Sequence, residues 1–472
     1  MDNPESKSIF IPIKQHPLSL RRNRDFISTA AVLAILCLMV SMGGQLSINF
    51  LGVLSISVIL TAIAYRFPYI TIALVFLLGQ IMGQEAQLLL PENLRQLELG
   101  PLKLRYFDPM LLGIIFAVVL KLLQRDKILM QFLFRNYLLW TLLLGWLSIE
   151  IMRSLGVYSI INILGEFRTY YQYLLLIPYI VIFFQTEDEQ WRLFKLLIVL
   201  SLLFILSGLI RGGILRGFEI GFGVRWFSAS ANLALLNGMI ALYFGIRHRL
   251  IKINSTVIIM LFTAFFVMTI INNIRSVWLA TAAAILIVML LRQSSLRMQI
   301  LSTIGILTSL VITHYLMTIY SIDFLTFIQD RSKAFYDYKS DVTASWRYYL
   351  WIEALSRIKE SPFLGQGLGL HFELYLNSGE VVYTSPHNLY ITIPYQLGFT
   401  GLLLYAGLLA QIFYRFRKAA SNQVSKQKRT MILAASIILF SSSAYYIAYV
   451  FEYFTWLYVG VAIAVNNDKV KK

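Results

Sequence analysis

Long apolar stretches alternate with short polar connections over most of the 472 residues. Each stretch runs for about 17–25 residues, the length that a helix needs to cross a hydrocarbon core of about 30 Å. Helices satisfy their own backbone hydrogen bonds in lipid, and the period-two alternation of a membrane β-barrel is absent. The pattern therefore predicts an all-α polytopic membrane protein with about 12–14 transmembrane helices. The predicted spans are residues 27–43, 47–64, 69–87, 108–123, 132–150, 169–184, 193–210, 230–246, 254–272, 276–291, 299–318, 387–413, 431–449 and 454–466.

One polar interval, residues 319–386, is long enough to have structure of its own. Apolar residues at i, i+3 and i+4 spacing predict an amphipathic helix from Thr343 to Lys359, rich in Trp and Tyr and suited to a membrane interface. The last two spans could also form one bent helix, because Glu452 is the only strong interruption between them. We divide the chain into a cytoplasmic N-terminus (1–26), a transmembrane region (27–318), a partly helical periplasmic catalytic loop (319–386), C-terminal transmembrane helices (387–466) and a cytoplasmic tail (467–472).

Composition and charge support a membrane protein and give its orientation. Hydrophobic residues make up 58% of the chain and charged residues 14%, which leaves too little polar surface for a soluble domain of this length. Lys and Arg collect in alternate connections, so both termini are expected on the cytoplasmic side of a bacterial inner membrane. The net charge of +17 is then mainly topological and does not indicate nucleic-acid binding. The single cysteine, Cys37, excludes a disulfide framework.

His387 stands where the long outward loop re-enters the membrane, in Ser385-Pro386-His387-Asn388. A neutral imidazole at this interface can take a proton from an attacking hydroxyl, because its pKa lies near the working pH. The alternative is a histidine that merely caps the next helix. His387 is therefore a candidate general base.

Several arginines remain on the outer side against the insertion bias, and an arginine fork matches phosphate oxygens. Arg275 lies where two spans meet with almost no loop, and Arg225 follows a glycine-rich segment just before another span. Arg168 stands at the outer start of a further span. Each could instead be an interfacial anchor or a solvated loop residue. Together they predict a basic cavity suited to an anionic group.

Metal chemistry has little support in the sequence. The acidic residues of the outward loop are scattered, without an Asp-x-Asp pair, and no His-x-x-x-His occurs. We therefore expect a metal-independent reaction without a cofactor, in which arginines stabilise the leaving charge.

Two motifs resemble the O-antigen ligase family of membrane glycosyltransferases, which is related to O-antigen polymerases. His387-Asn388 is followed by nine residues and then by Gly398-Phe399-Thr400-Gly401, and Arg275 begins an Arg-x-x-x-Leu element. The segment from Trp346 to Gly369 is also similar to the one that precedes the family histidine. The resemblance runs from about residue 220 to residue 466, and the first six spans are similar only in hydropathy.

The resemblance implies a GT-C-like fold and an inverting, metal-independent transfer of a glycan from undecaprenyl diphosphate at the periplasmic face. The acceptor would be a sugar hydroxyl of a glycolipid, the lipid A core, or of a growing glycan. It implies His387 and Arg275 as catalytic residues. The substrate-binding residues that we assign with it are Arg225, Arg347, Arg168 and Asn388.

Two other functions remain open at this stage. A polymerase of the same family would use a second carrier-linked glycan as the acceptor, and the sequence does not separate it from a ligase. A transporter, from a different class, would need polar groups within the membrane. Gln80, Gln84 and Glu85 in the third span offer such a path, but the two halves of the chain show no repeat.

Overall fold

A bundle of apolar helices makes up most of the chain that the computed structural model describes. The described residues are 48–81, 97–99, 102–104, 108–210, 212, 226, 228–291, 295–333, 337, 342–370, 372–375, 381–384, 386–421, 424–449 and 452–466.

The helices follow the apolar stretches of the sequence, and nine of the sixteen described helices begin after a Ser, Thr, Asn or Asp whose side chain accepts a backbone hydrogen bond. Their bounds are α1 Ile48–Arg66, α2 Pro68–Ile81, α3 Asp108–Leu123, α4 Lys127–Gln131, α5 Leu138–Ser154, α6 Ile160–Phe183, α7 Glu187–Leu209, α8 Ala229–Arg247, α9 Ser255–Ile271, α10 Arg275–Leu290, α11 Leu296–Ile319, α12 Phe324–Lys333, α13 Val342–Glu360, α14 Leu389–Ser421, α15 Lys426–Tyr445 and α16 Tyr453–Asn466.

The all-α polytopic class is confirmed. Predicted span 27–43 and the end of span 69–87 lie outside the described residues. Predicted span 132–150 is divided at Tyr137, and each of the other predicted spans coincides with a helix. Within the described part of the chain, four helices are long and apolar enough to cross a membrane: α7, α8, α11 and α14. A fifth span results if α4 and its π-helical extension Phe132–Asn136 are joined to α5 across an 88° bend. Shorter apolar helical segments of 10–17 residues lie in α1, α2, α3, α6, α9, α10 and α16.

The core of the bundle is formed by α8, α15 and α16, with α6 and α7 packed around them. Tyr453 to Val465 of α16 are all buried, which a helix achieves only when neighbours surround it. Glu452 precedes this helix, so the last two predicted spans are separate helices. α11 packs mainly against α9 and exposes many apolar side chains, as expected of a helix that faces lipid.

The connections between the apolar helices contain more regular structure than the sequence predicted. The amphipathic helix is confirmed as α13, one residue longer at each end than expected. Two short antiparallel hairpins were not predicted: β1 Leu97–Leu99 with β2 Leu102–Leu104, and β3 Phe372–Tyr375 with β4 Val381–Thr384. Strands of three or four residues give too few alternations for a period-two pattern to stand out in an apolar chain.

The bundle has two ends, which we name after the histidine at each. At the His387 end, the backbone N–H of Leu389 donates to the carbonyl of Tyr446 (3.0 Å), and Ser230 Oγ donates to Glu452 Oε1 (2.6 Å). At the His248 end, His248 Nδ1 lies 2.6 Å from Thr430 Oγ1. Helix α8 has 19 residues and joins the two ends, so about 28 Å separates them.

Candidate active site

His387 lies immediately before helix α14 and is held there by the backbone. Its φ of 49° is in the left-handed region, which a non-glycine residue rarely adopts. The capping hydrogen bond of the helix comes from the neighbouring residue, because Asn388 Oδ1 accepts from the backbone N–H of Tyr390 (3.0 Å). The N–H of Leu389 donates to the carbonyls of Tyr446 and Tyr449, at 3.0 and 3.2 Å. The helix start is therefore anchored by the Asn388 side chain and by the backbone N–H of Leu389.

Helix α13 brings aromatic rings and an arginine to this point. The rings of Trp346 and His387 meet edge to face, with 5.5 Å between centroids. Trp351 Nε1 donates to the carbonyl of Pro386 (2.8 Å) and so ties α13 to the residue before the histidine. The guanidinium carbon of Arg347 lies 5.6 Å from the Trp346 ring centroid. α13 thus supplies the aromatic and basic neighbours of His387.

Burial and the neighbouring cation keep the histidine neutral. Burial lowers the pKa of His387 to about 4, and the Arg347 guanidinium adds to this effect. At neutral pH the imidazole is therefore unprotonated and able to accept a proton. An imidazole with so low a pKa is a weak base until the positive charge beside it is balanced.

Arg275 is the first residue of α10, directly after a tight turn. Asn273 has a φ of 55°, and the buried side chain of Asn272 donates from Nδ2 to the carbonyl of Met268 (2.8 Å). Asn272 Oδ1 accepts from the backbone N–H of Trp226 (2.8 Å). Arg225 lies outside the described residues. The next residue, Trp226, is hydrogen-bonded to Asn272 in the turn that precedes Arg275.

The connection between α15 and α16, residues 446–452, joins these parts. Glu452 Oε1 accepts from Ser230 Oγ (2.6 Å) and from Tyr445 Oη (3.4 Å). Helix α10 packs along α15, so the turn before Arg275 and the end of α15 belong to the same bundle end as His387. His387 and Asn388 precede α14, Arg347 of α13 lies near enough to lower the pKa of His387, and Arg275 begins α10.

Arg168 lies in α6, and the described residues around it also belong to the His387 end. Its own side chain is outside the described part of the structure. Two residues earlier, Glu166 Oε2 accepts from the backbone N–H of Gly369 (2.8 Å). Two residues later, Tyr170 Oη donates to Gln396 Oε1 of α14 (2.5 Å).

The Gly-x-x-Gly motif has a packing role in the structure. Gly398 has a φ of 68° and breaks α14, and the N–H of Phe399 donates to the carbonyl of Pro362 (2.7 Å). A Cβ on Gly398 would lie 2.1 Å from the carbonyl oxygen of Phe363. The segment after α13 therefore inserts its backbone into the break of the helix that begins next to His387.

The same segment is fastened to α5 and α6 on its other side. Arg153 donates to the carbonyls of Leu364 and Gly365, at 3.0 and 2.8 Å, and Ser154 Oγ accepts from the N–H of Leu368 (2.8 Å). Glu166, at the Gly369 end, is buried, which raises the pKa of its carboxyl to about 7. The hydrogen bond from the Gly369 N–H opposes this shift but does not overcome it.

Three residues of this region were missed in the sequence. Glu166 and Tyr449 carried no motif that singled them out. Glu452 did carry a signal, because a lone carboxylate at the edge of an apolar stretch requires a partner; we used it only to divide the last two spans. No group of three or more His, Cys, Asp or Glu side chains suited to a metal occurs among the residues that the structure describes.

Comparison with known proteins supports the resemblance found from the motifs. Residues 256–406 match the family model described as O-Antigen ligase. A stretch of 101 residues is 28% identical to the O-antigen ligase of Pseudomonas aeruginosa and covers 21% of this chain. It spans 23% of that relative, less than a quarter of its length. The matched family region contains Arg275, Arg347, His387, Asn388 and the Gly398–Gly401 motif, whereas Arg168 and Arg225 lie before it.

Proposed function

We propose, starting from the match to the O-antigen ligase family, that this protein transfers a glycan from undecaprenyl diphosphate to a sugar hydroxyl of a lipid A core. The reaction takes place at the periplasmic face of the bacterial inner membrane, where the His387 end of the bundle lies. The observation that supports this most is the neutral imidazole of His387 with the Arg347 guanidinium near enough to lower its pKa, at the bundle end where the turn before Arg275 also lies.

In the proposed reaction His387 is the general base. The imidazole takes the proton of the acceptor hydroxyl as its oxygen attacks the anomeric carbon, and the bond from that carbon to the diphosphate oxygen breaks. Undecaprenyl diphosphate leaves with the electron pair, and attack from the opposite side inverts the anomeric configuration. A neutral imidazole is the form that this step requires, and burial supplies it.

The arginines stabilise the departing diphosphate in place of a metal ion. Arg275 and Arg347 lie at the His387 end, Arg225 is next to the residue bonded to Asn272, and Arg168 belongs to the first turns of α6. Guanidinium forks bind phosphate oxygens with two parallel hydrogen bonds. Asn388 contributes by capping α14: its Oδ1 accepts from the N–H of Tyr390, which fixes the start of the helix next to His387.

The purified protein with a labelled carrier-linked glycan tests this function. Given a core glycolipid as the acceptor, we expect one product that carries a single transferred glycan and has an inverted anomeric centre. No product with the glycolipid or with a second carrier-linked glycan would contradict a transferase.

An O-antigen polymerase is the second candidate, since the family resemblance covers both activities. It makes a different prediction in the same assay. Two carrier-linked glycans would give a ladder of products of increasing length, and the core glycolipid would not react.

A further inference from the structure

The connection of residues 446–452 contacts the candidate site through both backbone and side chains. Its carbonyls at Tyr446 and Tyr449 accept from the N–H of Leu389, two residues after His387. The Tyr449 ring, on the same short segment, reaches Arg347 of α13. Tyr449 thus contacts both the start of α14, next to His387, and Arg347 of α13.

The Tyr449 ring has a different neighbour on each face. Tyr445 stacks on it with 4.7 Å between centroids and 10° between planes. The guanidinium carbon of Arg347 lies 5.6 Å from the Tyr449 centroid. Because Tyr445 covers one face, the face that remains for the cation is the other one. A guanidinium over a tyrosine face is attracted by the ring quadrupole, more strongly where water is excluded.

The polar contacts of Arg347 do not account for its position. Its Nε is buried and has no hydrogen-bond partner within the described ranges. Among the ion pairs that the described residues make, none includes Arg347. The contacts that locate the guanidinium are with the Trp346 and Tyr449 rings. The buried Nε–H donor is therefore not used by any described residue.

Hydrogen bonds through Glu452 connect the stacked rings of Tyr445 and Tyr449 to helix α8. Tyr445 Oη donates to Glu452 Oε1 (3.4 Å), and the same oxygen accepts from Ser230 Oγ (2.6 Å). The orientation of the Tyr449 ring is thus set by a stack that is fastened to a neighbouring helix.

We propose that Tyr449 is a positioning residue of the transfer site, which holds the Arg347 guanidinium ready to bind the diphosphate oxygens of the donor. This role rests on the proposed function. Tyr449 acts through Arg347 and does not itself touch the reacting atoms. The anion then balances the charge that Arg347 places beside His387, so the same contact couples donor binding to the strength of the base.

The titratable and charged groups around the histidine are few in the part of the chain with described side chains. Arg347 faces it from α13. Tyr390 follows it in α14, Tyr445 ends α15, and the connection supplies Tyr446, Tyr449 and Glu452. Burial is the larger cause of the lowered pKa of His387, and Arg347 is the charged group that adds to it. Among the charges near His387, a change in its titration therefore reports on Arg347.

Donor kinetics of Tyr449 variants test the role. Tyr449→Leu should raise the donor KM about tenfold or more, whereas Tyr449→Phe, which keeps the ring, should stay within about threefold of the wild type. Tyr414→Leu is the matched control, because Tyr414 is an exposed tyrosine of α14 outside the site. A donor KM for Tyr449→Leu equal to that of the control would overturn the proposal.

A double-mutant cycle separates positioning from misfolding. In an Arg347→Gln background, Tyr449→Leu should produce no further rise in the donor KM, because the group that it positions is already gone. If the fold-changes in donor KM of the two single variants multiply in the double variant, Tyr449 does not act through Arg347.

Histidine titration by NMR gives a readout that does not require transfer. Tyr449→Leu should raise the pKa of His387, since the guanidinium moves away, and Tyr449→Phe should not. An unchanged titration in the leucine variant would overturn the positioning role even if the wild type transfers glycan. A wild type without transfer activity would instead contradict the proposed function, while the titration still decides whether Tyr449 holds Arg347.

Discussion

The indole of Trp346 meets the imidazole of His387 edge to face, with 5.5 Å between the ring centroids and 84° between their planes. The contact joins a helix of the outward loop to the residue before a membrane helix, across about forty residues of sequence. It places Arg347, the next residue after the tryptophan, beside the candidate base. Helix α13 is therefore part of the candidate site.

Sidedness follows from the two bundle ends. In a Cys37→Ser background, a cysteine at the exposed Tyr349 of the His387 end should react with a membrane-impermeant maleimide added to spheroplasts. A cysteine at Arg249, at the His248 end, should react only after permeabilisation. Labelling in the reverse order would place the candidate site in the cytoplasm.

Gly398 should tolerate no side chain. Gly398→Ala forces a Cβ to within 2.1 Å of the carbonyl oxygen of Phe363 and leaves an L-residue at a φ of 68°. We expect a loss of about 2 kcal/mol or more of stability, measured as a lower melting temperature in detergent. Gly145→Ala is the control, since nothing lies within 4 Å of its Cβ position. Equal melting temperatures for the two variants would show that the Phe363 backbone does not pack closely against Gly398.

Glu166 should make the protein less stable as the pH rises. Burial raises the carboxyl pKa from about 4.5 to about 7 in the folded state, so the unfolded chain loses its proton first. Stability should fall between about pH 4.5 and pH 7, by roughly 3 kcal/mol in total, and level off above that range. In Glu166→Gln the melting temperature should vary less across this interval. A slope as steep as that of the wild type would assign the dependence to another group.

Much of the fold follows from apolar periodicity, and part of the site does not. The helices could be predicted because their apolar stretches are long, and α13 because its stripe has helical spacing. His387 and Arg275 could be singled out because each is polar at a span boundary. Tyr449 could not, since one tyrosine among 27 carries no local signal and its role depends on Tyr445 and Arg347 meeting it in space. The same holds for Glu166, whose partner Gly369 is distant in sequence.

Arg275 should contribute to donor binding through its charge. Arg275→Glu places a carboxylate at the start of α10 and should raise the donor KM at least tenfold through repulsion of the diphosphate. Lys195→Glu, on an exposed position of α7, makes the same change of charge away from the site. Equal donor affinities in the two variants would remove Arg275 from the diphosphate site.

Glycan transfer by His387→Ala tests the central claim most directly. The purified variant and wild type are compared with the same carrier-linked donor and acceptor, with His314→Ala as the control for an exposed histidine elsewhere. We expect transfer to fall at least a hundredfold in His387→Ala, with membrane insertion and melting temperature unchanged, because the base is lost and its neighbours remain. A variant that transfers glycan at the wild-type rate would contradict the account.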